Sequence, residues 1–393
     1  SFERIIYSSL IWGAVLLSLL SIYFIFVKKF RFEEHMILLF VWVIPLSYSV
    51  SFFFAASEHF AEKGLLLSIM YAAVFIATAI VARHELGNRI IQLSFILTGY
   101  LIVLFGFFNL FGHVSYDQSV MLTNQGLRMT GVFQYANTYA LLLMILLFCS
   151  IHYILKSRKP VFIISNALML VPILVSFLLT LSRGAWVVFP FILIVLLPFF
   201  RLSRQLAILL YILIGAVGAV VVSPSLNAIG KDAVQGVLES IAAGSPEFVS
   251  LFNGQALKGW GLLLLSSAVA AMLIYAFQSF VLPMLDRKTE RLSNRKFSNF
   301  ALPVIGLIIG AIGLFVLFSE NHAIARLLPA NLQERVANIT LEHHSVQERF
   351  TFYRDASKLI LDYPVFGAGG GAWQALYENY QNNPYTSRQA HNF

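Results

Sequence analysis

Residues 137–160 read NTYALLLMILLFCSIHYILKSRKP. The stretch 137–155 contains no Asp, Glu, Lys or Arg, and Lys156, Arg158 and Lys159 follow it at once. About 20 apolar residues are what a helix needs to cross the hydrocarbon of a bilayer. A basic cluster at one end of such a run marks the cytoplasmic side, because Lys and Arg are retained there during insertion. Helix, span and orientation can therefore all be read from these few residues.

The same pattern repeats along the chain. Apolar runs occur at roughly 9–27, 36–56, 64–82, 90–111, 137–155, 161–181, 185–200, 205–223, 259–282 and 299–318. The seventh is short. Of the 393 residues, 59% are hydrophobic, 15% aromatic and 12% charged, and mean hydropathy is +0.78. A soluble domain carries about 25% charged residues. Half that density excludes a soluble globule, a disordered chain and a secreted disulfide scaffold, and leaves a polytopic membrane protein. The fold class expected is all-α, a transmembrane helical bundle of about ten helices in 1–318, followed by a large helical loop, 319–393. No run resembles a cleavable signal peptide. The single cysteine, Cys149, lies inside an apolar run, so neither a disulfide nor a cysteine-based metal site can form within the chain.

The net charge of +8 bears on orientation rather than on nucleic acid, and no nucleic-acid partner is expected. Alternate connections, 28–35, 83–89, 156–160, 201–204 and 286–298, hold 15 Lys and Arg residues. The short connections on the other side hold Lys63, Arg128, Arg183, Lys231 and Lys258, with Arg4 at the start. The first set is expected in the cytoplasm. The segments 57–63, 109–136, 182–184, 224–258 and 319–393 are then expected outside. The chain starts at Ser1 and stops within polar sequence at His391-Asn392-Phe393. One further helix at each end, about twelve in all, is the expectation for the full chain, with 319–393 an incomplete loop.

Arginines on the outer side are the ones that orientation does not explain. Arg128 lies in LRMTGVFQYAN, residues 127–137, which leads into the fifth run. Arg183 lies in LTLSRGAW, residues 179–186, a tight connection between two runs. Lipid phosphate can hold either of them, and Asn137 can simply cap a helix. Ser182 and Gly184 beside Arg183 favour close approach of a backbone or ligand. In the last segment, Phe350, Tyr353, Ala356 and Ile360 recur at helical spacing before Pro364, with Arg349 on the same face as Tyr353. Glu348, Arg354, Asp355 and Lys358 read as solvated surface charges. Gly367-Ala-Gly369-Gly370-Gly371 is neither a Walker motif nor a dinucleotide fingerprint. It serves either as a hinge between loop helices or as a backbone that can approach a sugar or pyrophosphate. The pair His343-His344 lacks the further ligands a metal site needs, and no metal or cofactor is expected.

Taken together, Arg128-x-x-Gly131-x-Phe133-x-x-x-Asn137, Ser182-Arg183-Gly184, the Arg349 helix, Tyr363-Pro364-x-x-Gly367-x-Gly369 and His391-Asn392 resemble the O-antigen ligase and polysaccharide polymerase superfamily of bacterial membrane glycosyltransferases. The resemblance covers about residues 120–393. It implies a multi-pass protein of the bacterial cytoplasmic membrane with its active site facing the periplasm or exterior. The implied donor is a glycan on undecaprenyl pyrophosphate, and the acceptor a hydroxyl on a glycan, lipid or protein. Transfer would be metal-independent and inverting. Arg183 and Arg349 would meet charge on the leaving pyrophosphate, and His391 would act as the base. Arg128, Asn137, Ser182, Tyr353, Gly369 and Gly370 would help to hold the substrate. The chemistry is coherent, because a planar guanidinium fork matches phosphate oxygens where no divalent cation is used. Two other functions fit a polytopic protein of this kind. One is a transporter or flippase of lipid-linked glycan, which calls for charges at mid-membrane depth; the runs hold few. The other is a non-catalytic envelope assembly protein.

Overall fold

A computed structural model describes residues 2–27, 40–123, 126–293, 299–307 and 344–382. The protein is a helical bundle of the membrane-spanning kind. Lipid offers no partner to a bare backbone, so each apolar run closes its own hydrogen bonds as a helix. Among the described residues, seven helices are long and apolar enough to cross a membrane: Tyr7–Phe26, Glu58–Ala82, Glu85–Leu110, Ala136–Lys156, Pro160–Leu179, Leu202–Ala242 and Gly254–Glu290. Two shorter apolar helices are Val43–Phe52 and Arg183–Phe199. The tenth expected run, 299–318, is described only over 299–307, which is helical.

The chain packs as two units, Ser1–Ile91 with Glu320–Phe393, and Gln92–Ser319. In the first, α1 (Phe2–Ile22), α2 (Val43–Phe52) and α3 (Glu58–Ala82) pack around small residues. A Cβ on Gly13 would stand 2.6 Å from Met70 Cγ. The same unit holds α12 (His344–Asp362) and α13 (Ala372–Tyr380).

The second unit begins within α4 (Glu85–Leu110). A hairpin follows, β1 (Val120–Thr123) paired antiparallel with β2 (Gly126–Met129), with Met121 opposite Arg128. Then come α5 (Ala136–Lys156), α6 (Pro160–Leu168), α7 (Leu170–Leu179) and α8 (Arg183–Leu196). The last helices of the unit are α9 (Leu202–Ala242), α10 (Gly254–Ala276) and α11 (Leu282–Ser293). The core is built from Leu143, Leu147 and Ile151 of α5, Leu170 and Val171 of α7, Tyr211 and Ala219 of α9, and Ala270 and Ile274 of α10. Close helix approach in a bilayer depends on small residues. Here a Cβ on Gly215 would stand 2.8 Å from Leu174 Cδ1, and one on Gly99 2.6 Å from Leu146 Cδ1. Interhelical hydrogen bonds add register. Tyr100 Oη donates to Asn166 Oδ1 at 2.7 Å, and Tyr211 Oη to Gln278 Oε1 at 2.6 Å.

Two expectations about connections need correction. The segment 224–258 was expected as an outer loop, yet α9 runs unbroken through Pro224 to Ala242. An internal proline removes one hydrogen bond. Buried Leu226, Ile229, Val234 and Val237 keep helical spacing beyond it, and that burial holds the helix. At 41 residues, α9 is about 60 Å long, far more than a bilayer requires. The connection 286–298 was also expected as loop, but α11 occupies its first part, to Ser293.

Contacts within the second unit sort its connections into two ends. At the end where α5 begins, His113 Nδ1 and the Val249 carbonyl lie 2.8 Å apart, and Trp260 Nε1 donates to His113 Nε2 at 3.0 Å. Leu127 N donates to Asn227 Oδ1 at 3.3 Å. At the end where α5 terminates in Lys156, Ser203 Oγ donates to Asp286 Oδ1, and Gln205 Nε2 donates to the Asn299 carbonyl at 2.8 Å.

Candidate functional site

The turn Thr180-Leu181-Ser182 forms the centre of the site. Thr180 closes the end of α7 by donating its hydroxyl to the Phe177 carbonyl at 2.7 Å. Leu181 then takes a left-handed conformation, φ 52°. That geometry costs a non-glycine residue about 1–2 kcal/mol, and it reverses the chain. Ser182 is the N-cap of α8; its Oγ accepts from Ala185 N at 3.3 Å. The same hydroxyl donates to Asn137 Oδ1 at 2.7 Å. Asn137 Nδ2 donates in turn to Tyr135 Oη at 3.0 Å. Asn137 therefore does not cap α5; Tyr135 occupies the cap position, and the amide bridges to the next turn instead.

The hairpin brings Arg128 to the same turn. Its Nε donates to the Thr180 carbonyl at 3.2 Å. Arg128 sits on β2 between buried Leu127 and Met129, whose alternation turns the arginine away from the core. Gly131, φ 60°, ends the approach; a Cβ there would meet the Tyr139 ring at 3.0 Å. Arg183 is the first residue of α8 and is exposed. Gly184 beside it faces open space, with nothing within 4 Å of where a Cβ would stand. Neither guanidinium has a carboxylate partner among the described residues.

The structure thus assembles four expected residues, Arg128, Asn137, Ser182 and Arg183, around one turn. Arg128 reaches the Thr180 carbonyl of this turn and Arg183 opens α8 three residues further on; guanidinium groups and helix N-termini both attract anions. Sequence reasoning missed Thr180, whose carbonyl orients Arg128. It also missed the hairpin, which Gly126 between short apolar stretches could have signalled.

The remaining expected residues lie in the other unit or outside the described residues. Arg349 is in the early part of α12, and its side chain is outside the described residues, as are His391 and Asn392. Tyr353 lies on the same helix, partly buried. One expected surface charge is corrected here, because Asp355 is buried. Phe350 and Ile360 are 62% and 67% exposed, while Phe352, Asp355 and Leu359 are buried. The helix is rotated so that Asp355 points inward, because Asp355 has partners there. Lys358 Nζ donates to its Oδ1 at 3.0 Å, Asn382 Nδ2 to the same oxygen at 2.8 Å, and Asn382 N to Oδ2 at 3.3 Å. A carboxylate with this many donors can be buried without a large penalty.

The glycines of 367–371 pack against the α2–α3 corner. Gly369 N donates to Ser51 Oγ at 3.0 Å, and Ala56 N to the Ala368 carbonyl at 2.9 Å. A Cβ on Gly369 would stand 2.5 Å from Ala55 Cβ, and one on Gly370 3.3 Å from Gly64 Cα. Phe366 stacks on Phe54 with centroids 4.5 Å apart. The close approach that Gly369 and Gly370 permit is to the chain's own backbone. Among the described residues no group of three or more His, Cys, Asp or Glu is placed to hold a metal ion. No protein-family model, curated protein sequence or solved structure matches the chain.

Proposed function

We propose that this chain is a glycosyltransferase of the bacterial cytoplasmic membrane that takes glycan from an undecaprenyl-pyrophosphate donor and joins it to a hydroxyl acceptor on the outer face. The acceptor is a glycan, lipid or protein hydroxyl, as in an O-antigen ligase or polysaccharide polymerase. The observation that carries the reading is that Arg128 is anchored on the Thr180 carbonyl of the turn that leads into Arg183, with no carboxylate partner for either arginine among the described residues.

The acceptor oxygen attacks the anomeric carbon from the face opposite the leaving group, and the bond from that carbon to the pyrophosphate oxygen breaks. The acceptor proton passes to a base, a role the family resemblance gives to His391. Negative charge then grows on the departing pyrophosphate. Fixed cations aimed at that charge lower the barrier, and removing one such donor typically costs about a hundredfold to a thousandfold in rate. Arg183, on the N-terminus of α8, is the principal such cation and Arg128 its neighbour. Arg349 is the third by resemblance. Asn137 and Ser182 position Arg183, Tyr353 supports the Arg349 helix, and Gly369 and Gly370 seat their loop on the protein.

Orientation supports the outer placement. Residues joined at the hairpin end of the second unit, His113, Leu127, Arg128, Ser182, Asn227 and Val249, fall in 109–136, 182–184 and 224–258, segments that charge counting puts outside. In the first unit, Ala368 and Gly369 of the expected outer segment 319–393 pack at Ser51, Ala55 and Ala56, where the run 36–56 meets the expected outer segment 57–63. Reconstitution tests the activity. Purified protein in vesicles is expected to release undecaprenyl pyrophosphate from a lipid-linked oligosaccharide only when a hydroxyl acceptor is added, and Arg183→Ala is expected to stop release while leaving the protein inserted. Full release by Arg183→Ala would remove the assigned role. Movement of intact donor across the bilayer without release would instead identify a flippase.

A further inference from the structure

At the opposite end of the second unit, where α5 stops, lies a cavity of about 840 Å³. Its lining holds His152, Lys156, Arg158 and Arg204, with a single acid, Asp286. None of the three cations has an ion-pair partner among the described residues. Lys156 and Arg204 lie close enough for their charges to act on the His152 ring. Asp286 accepts a hydrogen bond from buried Ser203, which fixes the carboxylate on the α9 side. With His152 neutral, the cavity carries two positive charges in excess.

The neutral lining is ordered as well. Tyr211, fully buried, donates to Gln278 Oε1 at 2.6 Å. The carbonyl of that amide is thereby engaged, and its Nε2 hydrogens remain as donors for the cavity. Unbalanced cations beside oriented neutral donors form a site for a phosphate group.

Shape and rim decide what carries the phosphate. The volume falls in the range of small-molecule sites and greatly exceeds a single phosphate ion. The lining is also apolar in part, through Leu155, Ile163, Phe200 and Leu282, and close to it in sequence Val161 is 74% exposed, Phe199 82% and Phe280 76%. Charge counting puts the neighbouring connections 156–160 and 201–204 at the cytoplasmic surface of the membrane. A ligand with a phosphate head and hydrocarbon tails satisfies both parts at once. We propose that this cavity binds the headgroup of an anionic phospholipid, with the acyl chains lying along Val161, Phe199 and Phe280. This site is separate from the pyrophosphate-binding turn and does not depend on the transferase reading.

The test uses the purified full chain in neutral detergent, titrated with phosphatidylglycerol or phosphatidylcholine and read by native mass spectrometry. Phosphatidylglycerol is expected to be retained in preference to phosphatidylcholine. The double variant Arg158→Gln/Arg204→Gln is expected to bind it about fivefold more weakly for each cation removed. Asp286→Asn keeps an oxygen for Ser203 and removes the opposing charge, so it is expected to bind more tightly. General damage cannot produce that gain. Lys258→Gln, at the far end, is expected to bind as the parent does. Equal retention of the two lipids, unchanged binding by the double variant, or displacement of the lipid by an equal concentration of inorganic phosphate would each overturn the proposal. The last result would mark a soluble-anion site.

Discussion

Ser182 Oγ donates to Asn137 Oδ1 at 2.7 Å across 45 residues of chain. The same oxygen caps α8 by accepting from Ala185 N. One hydroxyl therefore joins two helices and starts one of them. Ser182→Ala removes both interactions at a buried position and is expected to cost about 1–2 kcal/mol, read as a lower unfolding midpoint in detergent. Ser182→Thr keeps the hydroxyl and is expected to stay near the parent. If Ser182→Ala melts with the parent, the tie does not hold the turn.

Arg128 spends Nε on the Thr180 carbonyl, and in the proposed reaction its two terminal nitrogens face the pyrophosphate. A lysine has a single ammonium at the tip of a flexible stem, so it cannot do both in the same fixed geometry. Arg128→Lys and Arg183→Lys are each expected to lower transfer by about tenfold or more while charge is conserved, measured as undecaprenyl pyrophosphate released per unit time. Parental rates in both lysine variants would show that charge alone suffices and would rule out the forked contact.

Gly369 has φ 86°, and a Cβ there would stand 2.5 Å from Ala55 Cβ. Gly369→Ala is therefore expected to lose about 1–3 kcal/mol of stability. Gly236 has nothing within 4 Å of a Cβ and sits inside α9; Gly236→Ala is expected to gain about 0.5–1 kcal/mol. Thermal unfolding of the two variants separates packing from substrate contact. Lost transfer with an unchanged midpoint in Gly369→Ala would assign that glycine to the substrate.

Hydropathy made the spans legible because the bilayer itself selects runs such as 137–155. It could not show where α9 stops. The end of the apolar run 205–223 reports the edge of the membrane rather than the end of a helix, and the burial of Val234 and Val237 is a tertiary fact. The turn at Arg183 was legible because a cation between two apolar runs is conspicuous. The Thr180 carbonyl that accepts from Arg128 was not, since a backbone carbonyl has no sequence signature. Asp355 misled for a related reason: a carboxylate reads as surface until donors from Lys358 and Asn382 are brought to it. The glycines of 367–371 announced close approach without saying to what.

Tyr380 Oη donates to Asp362 Oδ2 at 2.7 Å, which ties α13 to the end of α12. That hydrogen bond, followed by desolvation and the carboxylate's charge, pushes the phenol from 10.0 up to about 12. The sign follows from linkage. The folded form holds the phenolic proton more tightly than the unfolded chain, so its contribution to stability is complete below pH 10 and is lost as pH rises through about 12. Because the chain has 16 tyrosines, the titration must be read as a difference in phenolate absorbance between the parent and Tyr380→Phe. The difference is expected to appear near pH 12 in the parent, and closer to the ordinary value in the Asp362→Asn background, where an oxygen acceptor remains but the charge is gone. A difference centred at the ordinary phenol value in both backgrounds would mean that Asp362 and Tyr380 are not paired in solution.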